Sequence, residues 1–198
     1  MNEQQAMNTT KNLHVVGLCG SLRMNSYNRL ALEAARELMP ADMQLELLDL
    51  RGIPLFDADT LTEGMPDLAA EICEKIASAD AVLFGSPEYN FSISGVLKNA
   101  IDWISRDASQ PFYRKPIAIL SATQGPLGGA RSQYDLRKMM GYLDAHVLNK
   151  PEVFIGSAQN KFDTQGKLVD AATTNIIAAQ MKAFGDFVRF VERGYAGS

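Results

Sequence analysis

The chain predicts an α/β protein, with a parallel sheet covered by helices on both faces. Three observations carry that expectation. Short apolar, β-branched runs alternate five times with segments of helical periodicity along 198 residues. The composition is 46% hydrophobic and 21% charged, which suits a globular domain with a buried core. No internal repeat, linker or low-complexity stretch divides the chain, so a single domain is expected over residues 13–193. Residues 1–12, MNEQQAMNTTKN, are polar and read as a disordered N-terminal extension.

The elements follow in order. Leu13 to Leu18 is a buried first strand, followed by a polar loop to Asn28. Arg29 to Met39 reads as a helix with Leu30, Ala34 and Leu38 on one face, stopped by Pro40. Met43 to Leu48 alternates apolar and polar residues, as a less deeply buried strand does. Arg51 to Pro66 is rich in proline, glycine and acids and is expected to be a long loop. A helix from Pro66 or Asp67 to Ser78 leads to a third strand, Ala81 to Gly85.

Ser92 or Ser94 caps the next helix, whose apolar face is Val96, Leu97, Ala100, Ile101 and Trp103 or Ile104. Pro116 to Ala122 is the fourth strand, and a glycine-rich loop then feeds a helix ending at Leu143. Val147 to Ile155 is a fifth strand, interrupted near Lys150-Pro151, and 156–170 is a polar excursion. The last helix runs from Ala171 to about Arg193. Five such units point to a three-layer, flavodoxin-like sandwich with strand order 2-1-3-4-5 and a switch point between the first and third strands.

Charge and missing motifs exclude several functions. A net charge of -4 with no basic stripe argues against nucleic acid as a partner. No apolar run reaches the length of a membrane span, and the N-terminus has no apolar core of signal-peptide type. The two cysteines, Cys19 and Cys73, form no C-x-x-C pair and suit a reducing, cytoplasmic setting. No Walker loop, G-x-G-x-x-G, H-E-x-x-H, G-x-S-x-G or metal cluster is present. His14 and His146 read as structural, Asp49 as a loop residue, and Cys19 as a small buried residue or a reactive thiol.

Three loops follow the first, third and fourth strands and share the carboxyl edge of the sheet. In the first, Ser21, Arg23, Ser26 and Asn28 have the chemistry of a phosphate cradle, aided by a helix N-terminus. Ordinary capping by Ser26 accounts for the same residues. In the second, Pro87, Glu88, Tyr89 and Asn90 offer backbone donors and a ring, with Tyr89 a stacking or a packing residue and Glu88 more suited to positioning than to acid–base work. In the third, Gly125, Gly128 and Gly129 allow close backbone approach or simply make a turn. With no side-chain nucleophile and no metal ligands, chemistry falls to a bound cofactor.

These motifs resemble the NADPH-dependent FMN reductase family, which includes quinone, chromate and azo-dye reductases. The likeness rests on GSLRMNSYN (20–28), SPEYNFSISGVLKNAIDW (86–103) and SATQGPLGGARSQYDLR (121–137), and it covers roughly residues 13 to 190. It implies non-covalent FMN. Ser21, Arg23, Ser26 and Asn28 would hold the phosphate, with backbone from Leu22 and Tyr27. Pro87, Glu88, Tyr89 and Asn90 would line the ribityl chain and ring, and Ser121, Thr123, Gln124, Gly125 and Gly128 would face the ring from the third loop.

The resemblance further implies ping-pong transfer of hydride from NADPH or NADH, through FMN, to a quinone, azo, chromate or similar acceptor. No side chain is assigned a catalytic role, and Arg131 or Arg106 is a candidate for a 2′-phosphate. A homodimer or homotetramer is implied, with its interface near Gly129-Ala130-Arg131, and Ile53 to Asp59 is a candidate for the acceptor side. The competing expectation is a flavodoxin-type electron-transfer module, and a flavin-free domain is the third.

Overall fold

The computed structural model describes residues 11–196. In chain order its elements are β1 (Leu13–Cys19), α1 (Tyr27–Glu37), β2 (Met43–Leu48), α2 (Ala58–Glu63), α3 (Asp67–Ser78) and β3 (Ala81–Gly85). A hairpin of β4 (Glu88–Tyr89) and β5 (Ser92–Ile93) precedes α4 (Gly95–Ile104) and β6 (Pro116–Ala122). Then come α5 (Ala130–Tyr142), β7 (His146–Val147), β8 (Val153–Ile155) and α6 (Ala171–Tyr195).

The sheet is parallel in the order β2-β1-β3-β6-β7, with β8 also paired to β6. That is the flavodoxin-like order the sequence predicts. Strand alternation divides the core between the two faces. Val15, Leu83 and Leu120 pack with Leu32 of α1 and with Ile177 and Phe184 of α6. Val16, Phe84 and Ile119 pack on the other side with Ile72 of α3, Leu97 of α4 and Leu136 of α5.

The fifth strand position is shared by β7, against Pro116–Ile117, and β8, against Leu120–Ala122. Between them the chain detours through a cis Lys150–Pro151 peptide. The Gln180 amide of α6 spans the gap, donating to the Ile119 carbonyl at 3.0 Å and the Pro151 carbonyl at 2.9 Å.

Several boundaries differ from expectation. Ser26 caps α1, so the helix begins at Tyr27 rather than Arg29 and ends at Glu37. Its buried stripe is Asn28, Ala31, Leu32, Ala34 and Ala35, with Leu30 and Leu38 only partly covered. The stretch expected to be all loop holds α2, started by the Asp57 carboxylate on the Asp59 N–H. That helix buries no residue, so it has no apolar period to read. The stretch 156–170 is more than a polar excursion, because Ala158 and Phe162 are buried in the core.

The N-terminal extension lies largely outside the described residues. Lys11, which belongs to it, pairs with Asp80 at 2.5 Å and Glu192 at 2.8 Å. Among the described residues no helix is long and apolar enough to cross a membrane.

Candidate active site

β1, β3 and β6 end at one edge of the sheet, and their three loops enclose a cavity of about 340 Å³. The first loop contributes Ser21, Arg23, Ser26, Tyr27 and Asn28. The second contributes Pro87, Glu88 and Tyr89, and the third Ala122, Thr123, Gln124 and Gly125. The volume falls within the usual range for small-molecule sites.

The loops are tied to one another as well as to the sheet. The Ser94 hydroxyl donates to the Gly20 carbonyl at 2.6 Å and accepts the Leu97 N–H at 3.1 Å, so a single side chain caps α4 and pins the first loop. A Cβ on Gly20 would stand 2.8 Å from Pro87 Cδ, which keeps the first two loops in close contact. Asn28, 4% exposed, joins the first loop to the third. Its Nδ2 donates to the Ala122 carbonyl and its Oδ1 accepts the Ala122 N–H.

Ser26 caps α1 and also lines the cavity, so capping and the cradle coincide. The first turn of an α-helix leaves N–H groups without intrahelical partners, and the dipole there favours an anion. The Arg23 guanidinium lies over the Tyr27 ring, 5.5 Å from its centre, and donates to the Asn25 carbonyl. Hydroxyls, a guanidinium and a helix N-terminus on one cavity form a donor set that fits a phosphate.

Glu88 lies within an ion pair. Its Oε1 accepts from Arg131 Nε at 2.6 Å, and its Oε2 accepts the Arg131 backbone N–H at 3.1 Å. Both carboxylate oxygens are therefore engaged, which suits a positioning role. Burial pushes the Cys19 thiol up from its ordinary value, against the weaker pull of the Ser21 backbone. Cys19 is thus no activated nucleophile.

Eleven of the fifteen expected cofactor residues line the cavity, and four do not. Leu22 lines a neighbouring cavity, where its carbonyl accepts from Arg51 at 3.2 Å. Asn90 is in the turn of the β4–β5 hairpin. Ser121 is fully buried, with its hydroxyl donating to the Gly128 carbonyl at 2.5 Å and accepting from Gln133 at 2.7 Å. Gly128 packs against the backbone of Phe154 and Ile155.

Ala122 is the lining residue sequence reasoning missed, and an alanine offers no chemical signal. Of the arginines considered for a 2′-phosphate, Arg131 is held by Glu88, and Arg106 lies over Phe56 beside a separate cavity. His14 pairs with Glu46 at 3.2 Å and His146 with Tyr195 at 2.6 Å, away from the cavity lining. No cluster of potential metal ligands occurs among the described residues.

Comparison with known proteins agrees with this architecture. The profile of the NADPH-dependent FMN reductases matches residues 13–160. An NAD(P)H-dependent FMN reductase of Pseudomonas aeruginosa is 51% identical over 177 residues, covering 89% of this chain and 96% of the relative. A quinone reductase of Escherichia coli is 43% identical over 186 residues, covering 92% and 99%. The flavoenzyme NAD(P)H:(acceptor) oxidoreductase FerB of Paracoccus denitrificans superposes with a TM-score of 0.81 at 28% identity, covering 91% of this chain and 98% of that one. The chain therefore belongs to the NADPH-dependent FMN reductase family, whose members are oxidoreductases working with FMN and NAD(P)H.

Proposed function

We propose that the cavity at the carboxyl edge holds FMN and that the protein is an NAD(P)H-dependent reductase of quinone-type acceptors. The observation that carries this reading is the meeting of three loops and the capped N-terminus of α1 on one cavity of about 340 Å³. The hydroxyls of Ser21 and Ser26, the Arg23 guanidinium and the first-turn N–H groups of α1, with backbone from Tyr27, would hold the phosphate. Pro87, Glu88 and Tyr89 would flank the ribityl chain and ring on one side, and Thr123, Gln124 and Gly125 on the other. Asn28 clamps the first and third loops together, and Ser121 and Gly128 fix the third loop from beneath.

When bound, FMN would supply the redox chemistry that links a nicotinamide to an acceptor, with the two partners using the same space in ping-pong order. The protein's own work is orientation and the exclusion of water. N–H groups of the second and third loops offer dipoles where negative charge develops. NADPH as the reductant and quinones, azo compounds and chromate as acceptors complete the proposal. Exposed aromatic side chains on α5, Tyr134 at 57% and Tyr142 at 88%, support association into dimers or tetramers. Free thiols at Cys19 and Cys73 support a cytoplasmic setting.

The test is a visible spectrum after incubation with FMN and desalting, followed by anaerobic NADPH. Retained flavin that NADPH bleaches is expected. Retained flavin left oxidised would favour an electron-transfer module, and colourless protein would remove the cofactor assignment.

A further inference from the structure

A second cavity, of about 250 Å³, lies between the first loop and the chain that leaves β2. It shares Ser21 and Arg23 with the cavity that the three loops enclose, so one extended ligand can touch both. Its charge comes from three places in the fold. Arg23 of the first loop, Arg29 in the first turn of α1 and Arg51 after β2 line it, against the carboxylate of Asp49.

The three guanidinium groups differ in how far the protein uses them. Arg51 is fixed, with Nη1 donating to Asp49 Oδ2 at 3.1 Å and Nη2 to the Leu22 carbonyl at 3.2 Å. Arg23 donates to the Asn25 carbonyl from Nε at 3.2 Å. Arg29 is the least committed, since it meets Glu33 at 3.8 Å, beyond hydrogen-bond reach, and Glu33 pairs with Arg36. An excess of guanidinium in a walled space suits a dianionic group, because its N–H forks match phosphate oxygens. Asp49, its charge offset by Arg51, keeps lone pairs that accept from hydroxyls.

FMN carries one phosphate, and the cradle of the first loop accounts for it. A reductant of the NADPH type brings a further phosphate on its adenosine ribose, next to a free hydroxyl. The volume is small for a whole ligand and suits such a fragment. Neither Arg131 nor Arg106 lines this cavity.

We propose that this second cavity is the site for the 2′-phosphate of NADPH, with Arg29 and Arg51 binding phosphate oxygens and Asp49 accepting from the neighbouring ribose hydroxyl. The proposal rests on the reading that the adjoining cavity holds FMN and that a nicotinamide dinucleotide is the reductant. The two arginines then favour NADPH over NADH, which has no group to place there.

The test uses the FMN-loaded full chain with its Arg29→Gln, Arg51→Gln and Arg29→Lys variants. Titration of the oxidised protein with adenosine 2′,5′-bisphosphate and with adenosine 5′-monophosphate reads the subsite without turnover. Steady-state kcat/KM with NADPH and with NADH, against one quinone, reads selectivity. Wild type is expected to bind the bisphosphate about tenfold or more tightly than the monophosphate. Each glutamine variant is expected to lower that preference, and the NADPH-to-NADH ratio, about five- to tenfold. Arg29→Lys, which keeps the charge, retains more of both than Arg29→Gln.

An equal loss with both reductants overturns the proposal, as does a bisphosphate that wild type binds no more tightly than the monophosphate. Inorganic phosphate that displaces the bisphosphate at equal concentration also overturns it, by making the cavity a general anion site. Loss of FMN from Arg29→Gln overturns it by assigning that arginine to the flavin phosphate. Wild-type protein that fails to retain FMN instead overturns the functional reading, whatever the bisphosphate titration shows.

Discussion

The Asn28 side chain meets the backbone of Ala122 at both ends of its amide, donating to the carbonyl at 2.8 Å and accepting the N–H at 2.9 Å. Ninety-four positions separate the two residues. The pair works as a substitute for a strand beyond the end of β3, and it fixes the gap between the first and third loops. Asn28→Ala should leave both backbone groups without that partner and cost about 2–3 kcal/mol, or about 4–12 °C in Tm. Asn28→Asp should be at least as damaging, because a carboxylate oxygen would face the Ala122 carbonyl. Thermal unfolding and FMN titration check both variants, and FMN retention should fall in parallel.

Gly128 and Gly125 lie in the same loop and make opposite demands. A Cβ on Gly128 would stand 2.6 Å from the Phe154 carbonyl carbon, and the residue's φ is +60°. At Gly125 the nearest atom to such a Cβ is Thr123 Oγ1, at 4.0 Å. Gly128→Ala should therefore destabilise by about 2 kcal/mol or more, and Gly125→Ala by about 0.5 kcal/mol or less, in urea unfolding.

Asp170 should give stability an acid limb. Its carboxylate accepts from the Thr173 hydroxyl at 2.5 Å, the Thr173 N–H at 2.8 Å and Lys161 at 3.1 Å. Led by the Thr173 hydroxyl, these bonds hold its pKa at about 2, below the ordinary 3.8. Because the folded state favours the ionised form, the unfolded state binds more protons between those values. The stabilisation is fully present above about pH 4 and is lost as pH falls through about 2. Asp170→Asn keeps a competent cap but loses the charge. Its Tm should lie about 1–3 °C below wild type at pH 7, and the gap should close on acidification.

Asn99 ties the stretch after β2 to α4. It accepts the Phe56 N–H at 2.7 Å and donates to the Pro54 carbonyl at 2.8 Å, where Trp103 Nε1 also donates at 2.9 Å. Asn99→Ala should free residues 51–66 locally, at a cost of about 1–2 kcal/mol. Limited proteolysis should then cut within that stretch sooner than in wild type, while the Trp103 bond keeps the helix side in place.

The sheet was legible because β1, β3 and β6 are apolar runs buried on both faces, which composition alone marks. α2 was not, because it buries nothing and so carries no period. The β4–β5 hairpin hid for a different reason. Its turn is Asn-Phe, and the glycine that would announce it is absent. At the site, loop membership was readable from residue type, but the direction of a side chain was not. Ser121 shares the third motif with Thr123, yet it lies inside β6, buried and bonded to Gln133, whereas Thr123 is past the end of the strand. The Glu88–Arg131 pair spans 43 positions, and no local pattern foretells it.

The split of the outer strand into β7 and β8 bears on how copies of this chain avoid each other. An uninterrupted outermost strand presents a row of unpaired N–H and C=O groups that templates edge-to-edge aggregation. Here that border comprises a two-residue piece and a three-residue piece, separated by a detour through Pro151. Neither piece is long enough to zip against another sheet, and the proline has no N–H to offer. Smoothing the detour into one regular strand would complete the hydrogen-bond ladder and make this border as open to edge-to-edge pairing as the unbroken β2 is at the opposite one.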